Sequence, residues 1–321
     1  MNPTGGFSDS LSPSATRTEL DAVMYETYQR TEQPAYLSAS DAFFFNQGNT
    51  GGKLGFIWEE DSNVGEFQKT GEQEDILTTD SRIGNQKTKN SQKWTKKVPI
   101  SDEAFRADQV GKRAQISVNV GDRARQTQDK QAILETYGDA FSGSINTTPD
   151  GQALASNSHT TLTGVTVDNL DTGHATPNNL WTQVTQLANQ YAQDGDAGSH
   201  LFEGIVGPFT LYKTFKEILN SELIANSAEN NLNVFDTDYG QVSIKVSIFL
   251  GSTYNTYANA NTAYVILGRN HMIERKVFYG LTTDLIEPRY TTNDTWQYLA
   301  KYHECVFPGS FTAVVGTTGA V

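Results

Sequence analysis

The most constraining feature of this sequence is a long polar segment that has almost nothing to bury. From Phe67 to Val98 it reads FQKTGEQEDILTTDSRIGNQKTKNSQKWTKKV, and its strong interior hydrophobes are Ile76, Leu77, Ile83 and Trp94. Ordering about 30 residues costs roughly 1 to 2 kcal/mol each, and so little apolar surface cannot offset that cost. We therefore expect a polar hairpin without its own core, turning at Gly84-Asn85, that is either mobile or laid across another molecule.

The end of this segment is strongly basic. Six bases occur within sixteen residues, namely Arg82, Lys87, Lys89, Lys93, Lys96 and Lys97. The whole chain has a net charge of -13, which disfavours nonspecific binding to nucleic acid, because such binding depends on Lys and Arg neutralising phosphates. Trp94 is the single aromatic residue among these bases, so stacking on nucleic-acid bases has little support. The pattern is typical of a solvated or subunit-contacting face, and the positive charge would suit an acidic partner.

A long helix is predicted directly after this segment. Ser101 is a suitable N-cap, and the two acidic residues that follow it suit the positive end of a helix. The apolar positions of the helix are Phe105, Val110, Ala114, Val118, Ile133 and Tyr137. If continuous from Asp102 to Tyr137, the helix would be about 54 Å long, which implies an elongated subunit. Gly111 and Gly121 weaken its centre, so a kink or break there is the alternative.

The rest of the sequence predicts a mixed α+β protein. Residues 1–19 are rich in Gly, Ser, Thr and Pro and are predicted to form an arm that cannot fold alone. Thr176-Pro177 begins a helix with the apolar face Leu180, Trp181, Val184, Leu187, Ala188 and Tyr191. A second amphipathic helix follows Gly207-Pro208, and alternating apolar residues at 241–250 predict a half-buried strand. Further apolar runs towards the end of the chain predict more strands.

The segment DGQALASNSHTTLTG, residues 150–164, contains the residue types of a hydrolytic site without its spacing. A nucleophilic serine needs an activating base held by a third group, and the strand-turn-helix elbow G-x-S-x-G is absent here. Asp150-Gly151 is an ordinary turn signal, and His159 can fasten a loop through hydrogen bonds. We favour a structural turn formed by Asp150, Gly151 and His159. An α+β hydrolase using Asp150, Ser158 and His159 is the alternative from a different class.

Metal and cofactor sites are not indicated. The five histidines include no pair at the i, i+4 spacing of a helical zinc site, and the single cysteine excludes internal disulfides and multi-thiolate sites. The acidic loop at 194–196 lacks the other positions of a calcium-binding loop. No apolar run approaches about 18 residues, and the N-terminal residues do not resemble a signal peptide. We expect no catalytic residues, no cofactor, no metal and no membrane association.

Taken in order, these parts resemble the major capsid proteins of tailed bacteriophages, which have the α+β Hong Kong 97-type fold. ISDEAFRADQVG at 100–111 is similar to the start of the spine helix of those subunits. Residues 150–164 are similar to the segment that follows the spine in relatives of the Mu-like major head subunit. KEILNSEL and NLNVFD, within Lys216 to Asp236, resemble sequence of the axial domain. The chain lacks a long charged helical scaffolding segment at its N-terminus, which suggests a separate scaffolding protein.

The resemblance implies a division into five parts. They are an N-terminal arm and lead-in at 1–45, an E-loop hairpin with flanking strands at 46–99, a peripheral P-domain with the spine helix at 100–180, an axial A-domain at 181–290, and C-terminal strands returning to the P-domain at 291–321. The basic residues of the E-loop and Trp94 would contact neighbouring subunits. Through its E-loop, each subunit would then hold parts of identical copies.

The implied function is an icosahedral shell of hexamers and pentamers enclosing double-stranded DNA without sequence-specific binding. The partners would be other copies of the chain, a scaffolding protein, a portal and a possible decoration protein. The location would be the virion, assembled in the host cytoplasm. An encapsulin-like compartment for cargo proteins and a tail-tube protein are the alternatives within structural proteins.

Overall fold

The computed structural model describes residues 13–29, 36–61, 83–106, 112–220, 242–290 and 295–320. Its helices are α1 (Pro13–Tyr28), α2 (Asp102–Arg106), α3 (Lys112–Glu135), α4 (Pro177–Ala188) and α5 (Tyr212–Asn220). Its strands are β1 (Asn46–Asn49), β2 (Gly55–Asp61), β3 (Ile83–Asn90), β4 (Gln92–Ser101), β5 (His159–Thr160), β6 (Thr166–Val167), β7 (Leu170–Asp171), β8 (Phe202–Pro208), β9 (Ser243–Ser247), β10 (Tyr264–Gly268), β11 (Ile273–Ile286), β12 (Thr295–Pro308) and β13 (Val314–Thr317). The predicted mixed α+β architecture is confirmed.

The first large sheet is built around two long strands. Its strand order is β1-β11-β12-β4, with β1 parallel to β11 and the other pairs antiparallel. Strands β11 and β12 have 14 residues each, which corresponds to about 46 Å at the usual rise of about 3.3 Å per residue. The N-terminal half of β12 alternates strictly, with Trp296, Tyr298, Ala300 and Tyr302 buried. That alternation places one face of the sheet against helices α1 and α3.

Helix α3 runs without interruption through Gly121, as the predicted long helix requires, and the alternative of a break at this residue is not observed. The glycine is needed for packing: Leu20 and Met24 of α1 are buried with Val120 of α3, and α1 passes directly over Gly121. Residues 13–19, the last part of the predicted arm, belong to helix α1. The continuity of the predicted helix across Gly111 lies outside the described residues, between α2 and α3.

The second large sheet has five strands in the order β7-β13-β10-β8-β9. Strand β10 lies at its centre, and all five of its residues are buried. The main hydrophobic core joins this sheet to the first one and to α3. It contains Phe44, Phe45, Ile133, Tyr137, Val206, Leu267, Val306 and Val314. The two sheets are therefore held to each other through one continuous apolar interior.

Helices α4 and α5 cover the second sheet, and local signals account for both. Thr176 caps α4 by accepting a hydrogen bond from the backbone N–H of Asn179 at 3.2 Å, as its sequence predicts. The buried apolar residues are Leu180, Val184 and Leu187 in α4 and Phe215, Ile218 and Leu219 in α5. Trp181 and Tyr191, also predicted for the apolar face, are each 45% exposed. Tyr191 lies beyond the end of α4, in a bridge with Ala197.

The described part of the polar segment, residues 83–98, contributes strands to two different sheets. Strands β2 and β3 pair antiparallel as a hairpin of their own, whereas β4 continues past Ser91 into the first large sheet and pairs with β12. Gly84 and Asn85 lie inside β3, so the turn predicted at these residues is wrong. A Cβ on Gly84 would lie 2.1 Å from a methyl carbon of Leu162, so the glycine permits close packing. The connection between β2 and β3, residues 62–82, lies outside the described residues.

Candidate assembly surface

Strand β4 forms an edge of the first large sheet and carries the exposed part of the basic run. Lys93, Lys96 and Lys97 are exposed, whereas Trp94 packs inward with its ring centroid 6.4 Å from that of Tyr302. Lysines and a proline are common on edge strands because they discourage the addition of another strand. Pro99 follows the lysines on β4. A contact made here would therefore use side chains and not an extension of the sheet.

The other bases of the run do not belong to this surface. Lys89 lies in β3, with its Nζ 2.5 Å from Oδ1 of Asn146 and 3.7 Å from the carboxylate of Glu135. Lys87, also in β3, has a buried Nζ 6.0 Å from the ring centroid of Phe307. Arg82 lies outside the described residues. The expectation that all six bases form one outward face is therefore corrected: two of them point into the chain itself.

Burial has a strong effect on the charge of Lys87. Its Nζ has no hydrogen-bond partner among the residues that the structure describes. Burial, with help from the nearby charge of Lys89, lowers the pKa of Lys87 to about 8, and the carboxylates of Asp139 and Asp150 act in the opposite direction. Charge reversal at Lys87 would thus change the interior of the chain.

An open apolar groove lies beside the exposed lysines of β4. Its volume is about 430 Å³, and its walls come from β4, α3, β11 and β12. The lining residues are Trp94, Thr95, Lys96, Val120, Arg123, Ala124, Thr127, Leu281, Ala300 and Tyr302. Lys96 and Arg123 add positive charge to this apolar lining. The hydroxyl of Tyr302 is buried and has no hydrogen-bond partner within the described part of the chain.

The predicted apolar positions of the long helix are found in different environments. Phe105 of α2 stacks on Trp296 with ring centroids 4.2 Å apart, and Ile133 lies in the main core. Tyr137 lies just beyond α3, where its hydroxyl donates to the carbonyl of Phe44 at 2.6 Å. Ala114 and Val118 are half-buried, and the inward stripe of α3 instead runs through Ile116, Val120 and Ala124. Val110 lies outside the described residues.

Asp150 and His159 are brought together as a buried pair. Nδ1 of His159 lies 2.7 Å from Oδ2 of Asp150, the imidazole is fully buried, and its ring stacks on Phe311 with centroids 4.3 Å apart. Burial alone would raise the pKa of Asp150, but hydrogen bonds from His159 and Thr148 outweigh it and hold that pKa below its ordinary value. Gly151 has a φ of +84°, a left-handed conformation that favours glycine.

The same geometry does not provide a serine nucleophile. Nε2 of His159 lies 3.2 Å from the carbonyl oxygen of Leu154, to which it can only donate. The hydroxyl of Ser158 is bonded to Gln152 at 3.3 Å and lies 3.0 Å from the hydroxyl of Ser156. The histidine therefore has no nitrogen that could accept a proton from Ser158. The arrangement fastens a loop and lacks the relay that a hydrolase requires.

Sequence reasoning did not find a buried carboxylate at the base of the hairpin. Glu60 of β2 is 4% exposed and accepts hydrogen bonds from Gln193 at 3.1 Å and from Asn85 at 3.2 Å. Burial raises the pKa of Glu60 to about 7; the hydrogen bond from Asn85 opposes this shift and the charge of Asp150 adds to it. The sequence GFIWEED gives no signal that distinguishes Glu60 from its exposed neighbour Glu59.

Two other kinds of site are absent from the described part of the chain. No group of three or more His, Cys, Asp or Glu side chains there is arranged to hold a metal ion. None of its helices combines the length and the apolar character needed to cross a membrane.

Known proteins resemble this chain in structure but not in sequence. No family model and no curated sequence matches this chain. The mature capsid of bacteriophage PhiM1 is similar with a TM-score of 0.56 and 10% identity, covering 90% of both chains. The capsid of an empty GTA particle has a TM-score of 0.53 and 10% identity, covering 91% of this chain and 92% of the other. A virus-like particle from Pyrococcus furiosus has a TM-score of 0.52 and 11% identity, covering 94% and 98%.

These likenesses define a class of fold, that of phage capsid proteins and of a virus-like particle. The chain has the mixed α+β fold of phage capsid proteins, and the likeness covers most of its length. The predicted resemblance to capsid subunits is thereby confirmed as a resemblance of fold.

Proposed function

We propose that this chain is the major capsid protein of a tailed phage, a subunit that assembles with identical copies into an icosahedral shell around double-stranded DNA. The observation that carries the proposal is the extent of the structural likeness, which covers 90% of this chain and 90% of the PhiM1 capsid chain. A match over nearly the whole of both chains is more than a shared supersecondary motif. It supports a subunit built on the same plan.

The named parts of such a subunit can be assigned to the described elements. We assign the E-loop to β2, β3 and the residues between them, the spine helix to α3, and the A-domain to the region of α4, α5 and the second sheet. The proposed boundaries remain 1–45, 46–99, 100–180, 181–290 and 291–321. Because α1 packs on α3 of its own chain, residues 13–28 of the proposed arm and lead-in are held within the subunit.

The contacts between copies are proposed to involve the exposed lysines of β4 and the groove beside them. Subunits of net charge -13 repel one another, and this repulsion is screened over about 8 Å at physiological salt. Positive residues presented to acidic neighbours would offset part of it. Lys93, Lys96 and Lys97 are the described members of the basic run that are exposed for this role.

The acidic composition also fits the proposed contents. A negatively charged wall does not bind DNA tightly, because it offers few bases to neutralise phosphates. Packaged DNA would then be confined without sequence-specific contacts. The further partners proposed are a scaffolding protein, a portal and a possible decoration protein, and the proposed location is the virion.

A second candidate is a shell of the same fold with different contents. The chain is also similar to a virus-like particle from Pyrococcus furiosus, 98% of which is covered, and this supports a particle of the same fold. A container that encloses proteins in place of DNA is the second candidate. An encapsulin-like compartment would use the same assembly surfaces.

Electron microscopy of the purified protein tests these proposals. We expect closed shells of uniform size when the chain is expressed with its scaffolding protein, or alone if none is needed. Double-stranded DNA in particles isolated from their natural source supports the phage shell, whereas an enclosed protein supports the compartment. Open tubes would indicate a tail protein, and a monomer under all of these conditions would contradict assembly.

A further inference from the structure

The β2–β3 hairpin lies on the body of the subunit through one of its two faces. Phe56, Trp58 and Glu60 alternate along β2 with exposed residues and turn towards the body. The ring centroid of Phe56 is 5.8 Å from that of Phe307, and Trp58 lies against Gly309. The covered face of β2 is therefore apolar except near its end, where the carboxyl group of Glu60 is buried.

The hairpin joins the first large sheet at two narrow points. Between β1 and β2, Gly51 and Gly52 have φ values of +65° and +80°, and a Cβ on either would have no neighbour within 4 Å. On the other side β3 continues into β4 at Ser91, whose backbone N–H donates to the carbonyl of Leu54 at 2.8 Å. Hinges consist of a few such residues between elements. Rotation at these points would turn the hairpin as a unit.

Glu60 ties the hairpin to the body without the help of a positive charge. Its carboxylate accepts from Nε2 of Gln193 at 3.1 Å and from Asn85, within the hairpin, at 3.2 Å. The same Nε2 lies 3.3 Å from Oγ of Ser310, so one amide connects β2 to two loops of the body. No Lys, Arg or His in the described part of the chain forms an ion pair with Glu60, and the charge that acts on it is the like charge of Asp150.

The amide of Gln193 indicates that Glu60 carries a proton when the hairpin lies on the body. Gln193 is 6% exposed, and its Oε1 has no hydrogen-bond partner among the described residues. A buried acceptor without a donor is costly. Protonation of Glu60 places an O–H donor beside this oxygen, and the acid and the amide then pair in both directions. One proton thus removes a buried charge and satisfies an unpaired acceptor.

The other ionisable groups in this part of the interior are Lys87 of β3, Asp139 and Asp150 of the loop after α3, and His159 of β5. Burial opposes the ionisation of Asp150, but its hydrogen bonds, chiefly that with His159, hold its pKa below the ordinary value. Burial lowers the pKa of Lys87 to about 8, so this lysine stays mostly charged below that pH. Asp150 and Lys87 therefore keep their charges while Glu60 titrates.

The direction of the pH effect follows from the position of Glu60. Burial raises the pKa of Glu60 to about 7, above its ordinary value of 4.5. With the hairpin lifted, water would reach the carboxyl group and its pKa would return towards 4.5. The contribution of Glu60 to docking is fully present below about pH 4.5 and is lost as pH rises through about 7.

We propose that Glu60 is a proton-operated latch, which holds the β2–β3 hairpin on the body through Gln193 when protonated and lets it swing away at Gly51, Gly52 and Ser91 when ionised. A subunit in mildly acidic solution keeps the hairpin down, and a subunit in mildly alkaline solution releases it more often. The latch lies within one chain, so it does not rest on the proposed shell.

Hydrogen–deuterium exchange, followed by mass spectrometry on the full-length folded subunit, tests the latch. A two-stranded hairpin on its own is only marginally stable in water, so lifting lets the amides of β2 and β3 exchange. After correction for the intrinsic rate at each pH, we expect their protection to fall about 30-fold between pH 5.5 and pH 8. At both pH values they should exchange faster than the amides of β10, because local opening needs less free energy than global unfolding.

One variant and one control assign the effect. In Glu60→Gln the protection of β2 and β3 should no longer fall between the two pH values, whereas Glu59→Gln, at the exposed neighbour, should keep the wild-type fall. Protection of the wild-type hairpin that is independent of pH, or equal to that of β10, would overturn the proposal. So would a fall that persists in Glu60→Gln. These outcomes are read on single subunits, so a failure to form shells does not affect them.

Discussion

Gly121 of α3 lies directly beneath the backbone of Met24 in α1. A Cβ at this position would lie 2.6 Å from the carbonyl oxygen of Met24 and 3.2 Å from Cβ of Thr27. Helix α1 therefore crosses α3 at a distance that no other residue type permits. The close approach allows Leu20 and Met24 to be fully buried against the first large sheet.

We predict that Gly121→Ala destabilises the subunit. Alanine favours a helix interior over glycine by about 1 kcal/mol, but forcing the two helices apart costs about 1 to 3 kcal/mol and should dominate. The free energy of unfolding in urea measures the net effect. Gly280→Ala is the matched control, because a Cβ there has no neighbour within 4 Å. Equal stability of the two variants would contradict the packing role of Gly121.

We predict that His159→Ala destabilises the loop at 150–164 strongly. The substitution removes a fully buried ring stacked on Phe311 and leaves the carboxylate of Asp150 without its partner. Breaking a buried pair in this way costs about 3 to 5 kcal/mol. Thermal or urea unfolding measures the loss, and Ser158→Ala, at an exposed hydroxyl, should change stability by less than about 0.5 kcal/mol. A hydrolytic activity abolished by both substitutions would instead support the enzyme alternative.

Glu60 is predicted to make the subunit less stable as pH rises. The pKa of Glu60 in the folded chain is about 7, above its ordinary value of 4.5, so the folded state binds a proton that the unfolded state has released. Its contribution to stability is fully present below about pH 4.5 and is lost as pH rises through about 7. The loss should be of the order of 2 kcal/mol between pH 5 and pH 8.

Glu60→Gln should flatten that pH dependence. A neutral amide can keep one hydrogen bond by donating to Oε1 of Gln193, which has no partner among the described residues. Urea unfolding at several pH values between 5 and 8 provides the measurement. Glu59→Gln, at the exposed neighbouring position, should retain the wild-type slope. An unchanged slope in Glu60→Gln would show that another group is responsible.

Reversing the charge of the exposed lysines on β4 is predicted to block assembly without unfolding the chain. The variant carries Lys93→Glu, Lys96→Glu and Lys97→Glu, and it places further negative charge at a proposed contact between acidic subunits. Circular dichroism should match wild type, whereas electron microscopy should show no shells. The control is Lys213→Glu, which reverses the charge of one lysine on α5. The side chain of Lys213 is 86% exposed. Normal shells from the triple variant would rule out this contact.

The sequence predicted those elements whose signals are local. Helix α4 is recognised from a short stretch of sequence, because its cap at Thr176 lies close to its buried residues Leu180, Val184 and Leu187. No distant contact is needed to predict it. The turn-like pairing of Asp150 with His159 is local in the same way. At Gly121, by contrast, a low helix propensity was outweighed by packing between two helices, which cannot be read from a single segment.

The sequence did not predict the candidate sites, because their residues are far apart in the chain. Strand β4 reads as part of a polar hairpin, yet it pairs with β12 about 200 residues later. Lys89, Glu135 and Asn146, which meet near the base of the β2–β3 hairpin, come from β3, the end of α3 and a loop. Lysine, glutamate and asparagine are common surface residues. Their proximity follows from the arrangement of the sheets and has no signature in composition or spacing.

The long strands β11 and β12 also determine when this subunit can be completed during synthesis. Strand β1 pairs with β11, β4 pairs with β12, and Tyr25 of α1 donates to the carbonyl of Leu281. A growing chain on the ribosome therefore holds β1 and β4 without these partner strands until residues 273–308 have emerged. Because pairings across such distances form slowly, premature contact between unfinished copies is the hazard at this stage. A chaperone that shields the nascent segment would address that hazard.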